Sequence, residues 1–410
     1  MWQDKEWQMF CQRPLAQPRT ACVISPLKVL IVVEPGLNGV FRHVEGLCDY
    51  LLQQDGVRVG LAYSSRRSSG ALVALVERVK AAGCPVVDLG VTNAPRLGDA
   101  LAFYRLAKLA RVFRPDVIHS HSTKAGVLAR CLRLCGFRIV QLYTPNAYYG
   151  MSPRGNVLDP LYNGIEMFLG RIGATINVSK SERQFGRQRL RIRPANQILI
   201  PNAVDCSRFS PPTADQRRAV RESFSIPAAA YVFGTVGRYS IQKDPHTLYT
   251  AVIEFLKKHE NAWFCHLGAG ELYNEVSARL KSEFCSQRII RIEYADDTSH
   301  FYQCLDGFVL ASRYEGLALS AIEAMATGLP IALTRCSGNE DLGLTGCNSL
   351  SWADIGAPAQ LLDAIERIYR LDPSASNHRE VAKQSFGVDA VYGQICTTYH
   401  ACRENFATSW

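Results

Sequence analysis

Short apolar runs rich in valine and isoleucine alternate along almost the whole chain with longer stretches whose apolar residues recur at helical spacing. A strand buried on both faces reads as a continuous apolar run, and parallel strands need a long crossover between them, usually a helix. The alternation therefore restricts the chain to parallel sheets joined by crossover helices. Strands are expected at KVLIVV, RVGLAY, CPVVDLG, DVIHSH, RIVQLYT, ATINVS and QILIPN, with GVFRHVEGLCDYLLQQ and LGDALAFYRLAKLARVF among the helices. The pattern breaks at CSRFSPPTADQRRAVRESFSIPAAA, where Pro211, Pro212 and Pro227 bracket a short helical segment. It restarts with YVFGTVG, AWFCHLG, IIRIEY, DGFVLAS, LPIALT and NSLSW.

Two doubly wound α/β units follow, and 410 residues suffice for two cores. The breaks give a tail over 1–26, a first domain over 27–207, a linker over 208–229, a second domain over 230–385 and a terminal segment over 386–410. Ligands of such sheets lie beyond the carboxyl ends of the strands, so chemistry is expected in the loops that face the cleft between the units.

Composition excludes several classes. Hydrophobic residues at 47% and charged residues at 20% argue against a disordered or fibrous chain. The best apolar run, VLIVV, ends at Glu34, far short of the roughly 18 residues of a membrane span. MWQDKEWQMFCQRPLAQPRTACVISP has no signal-peptide core, and the scattered cysteines form no C-x2-C pair, so a cytoplasmic protein with reduced thiols is expected. Residues 1–200 hold 27 Lys and Arg against 13 Asp and Glu, whereas the remainder holds 19 against 24. A basic first half suits a negatively charged partner, with RQFGRQRLRIRP at Arg183–Pro194 as its densest patch. Nucleic acid is not expected, because no aromatic platform or recognition motif accompanies the cations.

Chemistry concentrates in DGFVLASRYEGLALSAIEAMATGLPIALT, which reads strand, loop, helix, turn, strand. Glu315 lies in the loop and Glu323 in the helix, inside AIEAMA, where an unpartnered carboxylate is costly. The helix-start amides of Gly316, Leu317, Ala318 and Leu319 can face a diphosphate, while the two carboxylates accept hydrogen bonds from sugar and ribose hydroxyls. In the loop after the first strand, EPGLNGVFRHV, Gly36 and Gly39 precede a helix expected near Val40 and offer a second phosphate approach. The spacing is not G-x-G-x-x-G, which argues against a dinucleotide oxidoreductase or an epimerase. His119 and His121 end a strand on one face, and His121 with Lys124 is expected to meet the acceptor.

The segment around Glu315 and Glu323 resembles the E-x7-E region of the retaining glycosyltransferases of family 4, enzymes of the GT-B fold. VGRYSIQKDPHTLYTA, NGVFRHV, RPDVIHSHSTKAG, IPNAVDCSRF, HLGAGEL and SGNEDL resemble further family segments in the expected order, from about Lys28 to Tyr369. The resemblance implies two Rossmann-like domains facing each other across a donor cleft, with Arg238 and Lys243 holding the donor diphosphate. It also implies a last helix that crosses back to the first domain. Two positions depart from the family pattern. Asn38 stands with Gly39 where a Gly-Gly pair is usual, and Asn146 stands where a His commonly follows Thr-Pro; asparagine donates a hydrogen bond but cannot carry a proton.

The implied function is retaining transfer of a sugar from a UDP- or GDP-linked donor to a hydroxyl of a glycan or polyprenyl-diphosphate-linked glycan, in polysaccharide or lipopolysaccharide assembly. Glu315, Arg238, Lys243 and Asn146 would serve catalysis, and Asn38, Gly39, Gly316 to Leu319 and Glu323 would bind the donor. No metal or cofactor is expected, since cations and amides already hold the phosphates, and peripheral contact with the inner face of the plasma membrane suits the basic domain. The alternative is a catalytically impaired GT-B protein acting as a nucleotide-sugar-binding or regulatory subunit.

Overall fold

A computed structural model describes residues 26–408, apart from 37, 93–94, 153–158, 296, 344 and 373–375. The tail expected over 1–26 lies, up to residue 25, outside the described residues. Seven parallel strands form the first sheet: β1 (Leu27–Val33), β2 (Val57–Tyr63), β3 (Val86–Asp88), β4 (Val117–His121), β5 (Val140–Thr144), β6 (Ala174–Asn177) and β7 (Gln197–Leu199). Their order is β3-β2-β1-β4-β5-β6-β7. The second sheet comprises β8 (Tyr231–Val236), β9 (Ala262–Leu267), β10 (Ile289–Ile292), β11 (Gly307–Leu310), β12 (Ile331–Thr334) and β13 (Leu350–Ala353), in the order β10-β9-β8-β11-β12-β13.

Both orders reverse beside the first strand of their unit, between β1 and β4 and between β8 and β11, and such switch points open ligand crevices. Helices cover both faces of each sheet, so β1 and β11 are buried along almost their whole length, as their unbroken apolar sequences require.

The segment 208–229 is more than a tether. Thr213 and Gln216 form a capping box that starts the helix Ala214–Ser223. Arg217 and Arg221 of that helix bind the Asp306 carboxylate, which also accepts from the Val232 N–H at 2.8 Å. Val220, Phe224 and Ile226 pack on the second core, so this stretch is part of the second domain's body.

The last helix, Val388–Thr408, lies on the first domain, where Val391, Tyr392, Ile395 and Tyr399 join the core beneath β1 and the helix Asn38–Leu52. Where the chain returns, Val204 pairs in parallel with Gly387, and the Val204 N–H donates to Phe386 O at 2.7 Å. The two connections between the domains thus run side by side.

Candidate active site

The loop after β11 turns sharply and enters the helix Leu319–Ala326, whose alanine-rich sequence favours the helix and whose end is set by Gly328 at φ +82° before Pro330. Glu315 sits in that loop, 7% exposed. Its Oε1 accepts from Ser312 Oγ at 2.6 Å and lies 2.5 Å from Lys243 Nζ. Lys243 comes from the loop after β8, which is tied to the Glu315 loop by the Arg313 N–H to Gln242 O at 2.8 Å and by Arg313 to Asp244 at 2.9 Å. Arg238 stands exposed on the same loop, with Nη2 3.5 Å from Gln242 Oε1. The structure therefore brings Glu315, Lys243 and Arg238 to one rim of the cleft.

Glu323 lies one helical turn inside, 8% exposed. Tyr302 Oη donates to its Oε2 at 2.7 Å. Burial raises the carboxyl pKa to about 7, against the pull of the Tyr302 hydroxyl and of the Arg42 and Arg208 cations. Between the two glutamates, the backbone N–H groups of Gly316, Leu317, Ala318, Leu319 and Ser320 make no hydrogen bond among the described residues. These are the free donors that begin any helix, and amides of this kind are able to receive an anion, here with a carboxylate on either side.

The first domain meets this helix start directly. Gly39, in the first turn of the helix Asn38–Leu52, is so placed that a Cβ there would lie 3.6 Å from Leu319 Cβ. Asn38 is the first residue of that helix, which starts two residues earlier than expected. Gly36 has a different role from the phosphate approach expected of it: a Cβ there would meet Arg67 O at 2.5 Å, so the glycine is dictated by packing on the turn Ser65–Arg67. Asn202 Nδ2 donates to Leu317 O at 3.4 Å, and the Ser181 N–H donates to Asp341 Oδ2 at 2.9 Å.

Asn146 and Ala147, in the loop after β5, have φ of 56° and 86°, which non-glycine residues adopt only when held. Glu182 holds them. Its Oε1 accepts from the Ala147 N–H and its Oε2 from the Val178 N–H, both at 2.6 Å. This loop touches the Glu315 loop, since a Cβ on Gly316 would come 2.8 Å from Ala147 N and 3.1 Å from the Asn146 carbonyl carbon.

The two residues expected at the acceptor, His121 and Lys124, contact neighbouring side chains in the structure. His121 is fully buried, packed on His119 at 4.1 Å and facing His43 at 5.7 Å, and burial holds its pKa far below that of a free imidazole. His119 bridges Tyr399 Oη at 2.7 Å and Thr144 Oγ1 at 2.8 Å, so it belongs to the contact with the last helix. Lys124 Nζ is bound to Asp99 at 2.8 Å on the flank of the domain.

Reading the sequence missed Arg42, Tyr302, Ser312, Gln242 and Glu182. Arg42, one turn beyond Gly39, carries the first domain's positive charge toward Glu323. A basic residue three positions after the loop glycine was the available signal for it.

Residues 37–208 match the model of Glycosyltransferase Family 4, and residues 216–385 match Glycosyl transferases group 1. The chain belongs to the family 4 glycosyltransferases. This glycosyltransferase is 27% identical over 256 residues to the UDP-Gal:alpha-D-GlcNAc-diphosphoundecaprenol alpha-1,3-galactosyltransferase of Escherichia coli, a match that covers 61% of this chain and 65% of that protein, just under two thirds of its length. It is 25% identical over 353 residues to a D-inositol 3-phosphate glycosyltransferase of Corynebacterium urealyticum, covering 77% of this chain and 80% of that one. Its fold is GT-B. Superposition on the Anabaena HepE protein, solved with UDP-glucose, gives a TM-score of 0.76 at 19% identity over 92% of this chain and 100% of that one.

Proposed function

We propose that this glycosyltransferase moves a sugar from a nucleoside diphosphate sugar, UDP-linked or GDP-linked, to a hydroxyl of a polyprenyl-diphosphate-linked glycan, with retention of anomeric configuration and without a metal. The observation that carries the reading is the row of free amides from Gly316 to Leu319, set between two carboxylates and faced by Gly39 across the cleft. A diphosphate fits the amides, and Lys243 and Arg238 stand beside it as paired cations. Glu323 accepts from the ribose hydroxyls and Glu315 from the sugar. A donor phosphate competes with Glu315 for Lys243, so binding frees the Glu315 carboxylate for the sugar.

As the bond from the sugar to the phosphate oxygen breaks, charge grows on the leaving diphosphate and the sugar takes on oxocarbenium character. Lys243, Arg238 and the amides stabilise that charge in place, and with this much positive charge no metal is needed. The acceptor oxygen bonds to the anomeric carbon from the face the diphosphate leaves, and its proton passes to the departing phosphate oxygen. Asn146, in the loop that touches Gly316, supplies a hydrogen bond and no proton.

A lipid-linked acceptor is supported by the basic first domain and by the diphosphoundecaprenol-linked acceptor in the name of the Escherichia coli relative. Among the described residues no helix is long and apolar enough to cross a membrane, which suits an enzyme that meets such an acceptor from the cytoplasmic side in cell-surface polysaccharide synthesis. The test is sugar transfer from UDP- and GDP-sugars to polyprenyl-diphosphate-linked GlcNAc, with EDTA present, by wild type and by folded Glu323→Gln, Arg238→Ala and Lys243→Ala variants. Transfer by the wild type that falls in all three variants is expected. Equal rates in all four proteins, or donor binding without any turnover, would reject the reading, the latter in favour of a binding subunit.

A further inference from the structure

The helix Asp159–Leu169 has two charged residues, Asp159 and Glu166. Glu166 faces inward, 1% exposed, with Oε2 2.9 Å from Arg130 Nη2 and Oε1 accepting from Tyr143 Oη at 2.8 Å. What the helix shows to solvent is apolar: Leu161 at 59% exposure and Phe168 at 55%, seven positions apart on one face, with Gly164 and Ile165 between them. Met167 adds to the same end. A surface helix on a globular domain normally turns its charged side outward, so this one is inverted.

Cations lie against its carboxyl end. Ile192 is buried so close to Gly170 that a Cβ there would come within 2.7 Å of Ile192 Cγ1. On either side of it Arg191 and Arg193 are exposed, as are Arg187, Arg189 and Arg171. No hydrogen bond or ion pair of these five guanidinium groups is present among the described residues. Elsewhere arginines find carboxylates, as Arg208 does in Asp297 and Arg221 in Asp306. A row of like charges without partners is self-repelling until an anionic surface supplies them.

The surface also begins at the rim of the cleft. Tyr162 of the helix packs, with its ring tilted, on Tyr149 at 4.3 Å, in the loop that carries Asn146. The helix Lys180–Gln188, which leads into the arginine row, starts at the Ser181 contact with Asp341 across the cleft.

We infer that this face seats the protein on an anionic lipid membrane, with Leu161 and Phe168 in the headgroup–acyl boundary and the arginines of 187–193 against lipid phosphates. Apolar anchors beside a basic row are the chemistry of interfacial helices, whereas a nucleic acid would leave Leu161 and Phe168 uncovered. The inference rests on the reading of the acceptor as a lipid-linked glycan: a protein held this way presents its cleft to a diphosphate sugar that projects from the bilayer.

The experiment is co-sedimentation of the full-length protein with vesicles of phosphatidylcholine alone or with about a third phosphatidylglycerol, run beside UDP-glucose binding. The variants are Leu161→Ser/Phe168→Ser and Arg187→Gln/Arg189→Gln/Arg191→Gln/Arg193→Gln. The wild type is expected to bind the anionic vesicles at least tenfold more tightly, less so at high salt, and each variant to lose tenfold or more with UDP-glucose affinity unchanged. Wild-type binding that ignores phosphatidylglycerol, or variants that bind like wild type, overturns the inference. So does retention of a DNA duplex, rather than vesicles, through the arginines alone. UDP-glucose binding and transfer to a detergent-dispersed acceptor report on the donor site separately, so the membrane face can fail while the proposed function stands.

Discussion

The Glu182 carboxylate receives the Ala147 N–H at 2.6 Å and thereby fixes the residue that follows Asn146 in a left-handed conformation. Glu182 has no exposed surface, and burial lifts its pKa to about 7 although two backbone N–H groups pull it down. It acts through the loop it holds, and is a positioning residue. In Glu182→Gln one oxygen becomes an amide donor facing an N–H, which costs about 1–3 kcal/mol locally. Transfer should fall about tenfold or more while donor affinity stays within about twofold, because in the proposed mechanism the loop serves the transfer step more than the phosphates. Comparing kcat with the donor dissociation constant checks this, and an equal loss in both would assign Glu182 a merely structural role.

At Gly316 the Glu315 loop of the second domain packs against the Asn146 loop of the first. In Gly316→Ala the new methyl meets backbone atoms of Asn146 and Ala147, which cannot rotate away. The loops must part, and a displacement of about 1 Å at a reacting centre can cost about 10²-fold in rate. A fall of about that size in kcat/KM, with a melting temperature within a few degrees of wild type, is expected from steady-state kinetics and thermal melts.

If Glu323 holds the donor as proposed, donor binding depends on pH. Its folded pKa of about 7 exceeds the ordinary 4.5, so between these values the folded protein binds more protons than the unfolded chain. Stability contributed by the protonated group is full below about 4.5 and is lost as pH rises toward 7, by at most about 1.4 kcal/mol per unit. In the proposed donor pose a ribose hydroxyl donates to this carboxylate and favours the ionised form, so affinity for the nucleotide-sugar donor should rise from pH 5.5 to 7 and level off above. Calorimetric titration across that range checks it, and Glu323→Gln should flatten the profile. The stability slope should only be reduced in that variant, since Glu182 titrates in the same window.

Asp306 joins the helix Ala214–Ser223 to the second sheet through Arg217 and Arg221. Arg221 is 5% exposed, so Asp306→Ala strands a nearly buried cation. A loss of about 3 kcal/mol from the second domain is expected. Urea unfolding followed on wild type and variant should show the second domain's transition moving to lower denaturant and the first domain's unchanged.

How much of this was legible in the sequence follows from the range of each interaction. Strands such as β1 and β11 are covered on both faces, so burial is written into consecutive residues and they were found in place. Glu323 could be singled out because its apolar neighbours in AIEAMA are local. Histidines at the end of β4 look the same whether they face a ligand or a helix, and what encloses them includes Tyr399, 280 positions after His119. Glu182 and Tyr302 escaped notice for the same reason: their partners are brought to them by the fold. The linker expected over 208–229 was read from its prolines, whereas its attachment depends on Asp306, 89 positions after Arg217.

The side-by-side connections at Val204 and Gly387 limit the ways in which the two domains can turn on each other. A body joined to another by one tether can swing and twist in any direction. Two adjacent connections that share a hydrogen bond resist twisting more than a single one does and bend most readily about one axis. Any opening of the cleft would then follow one arc, and Gly39 and Leu319, which lie together in the structure, would part and meet again in the same register.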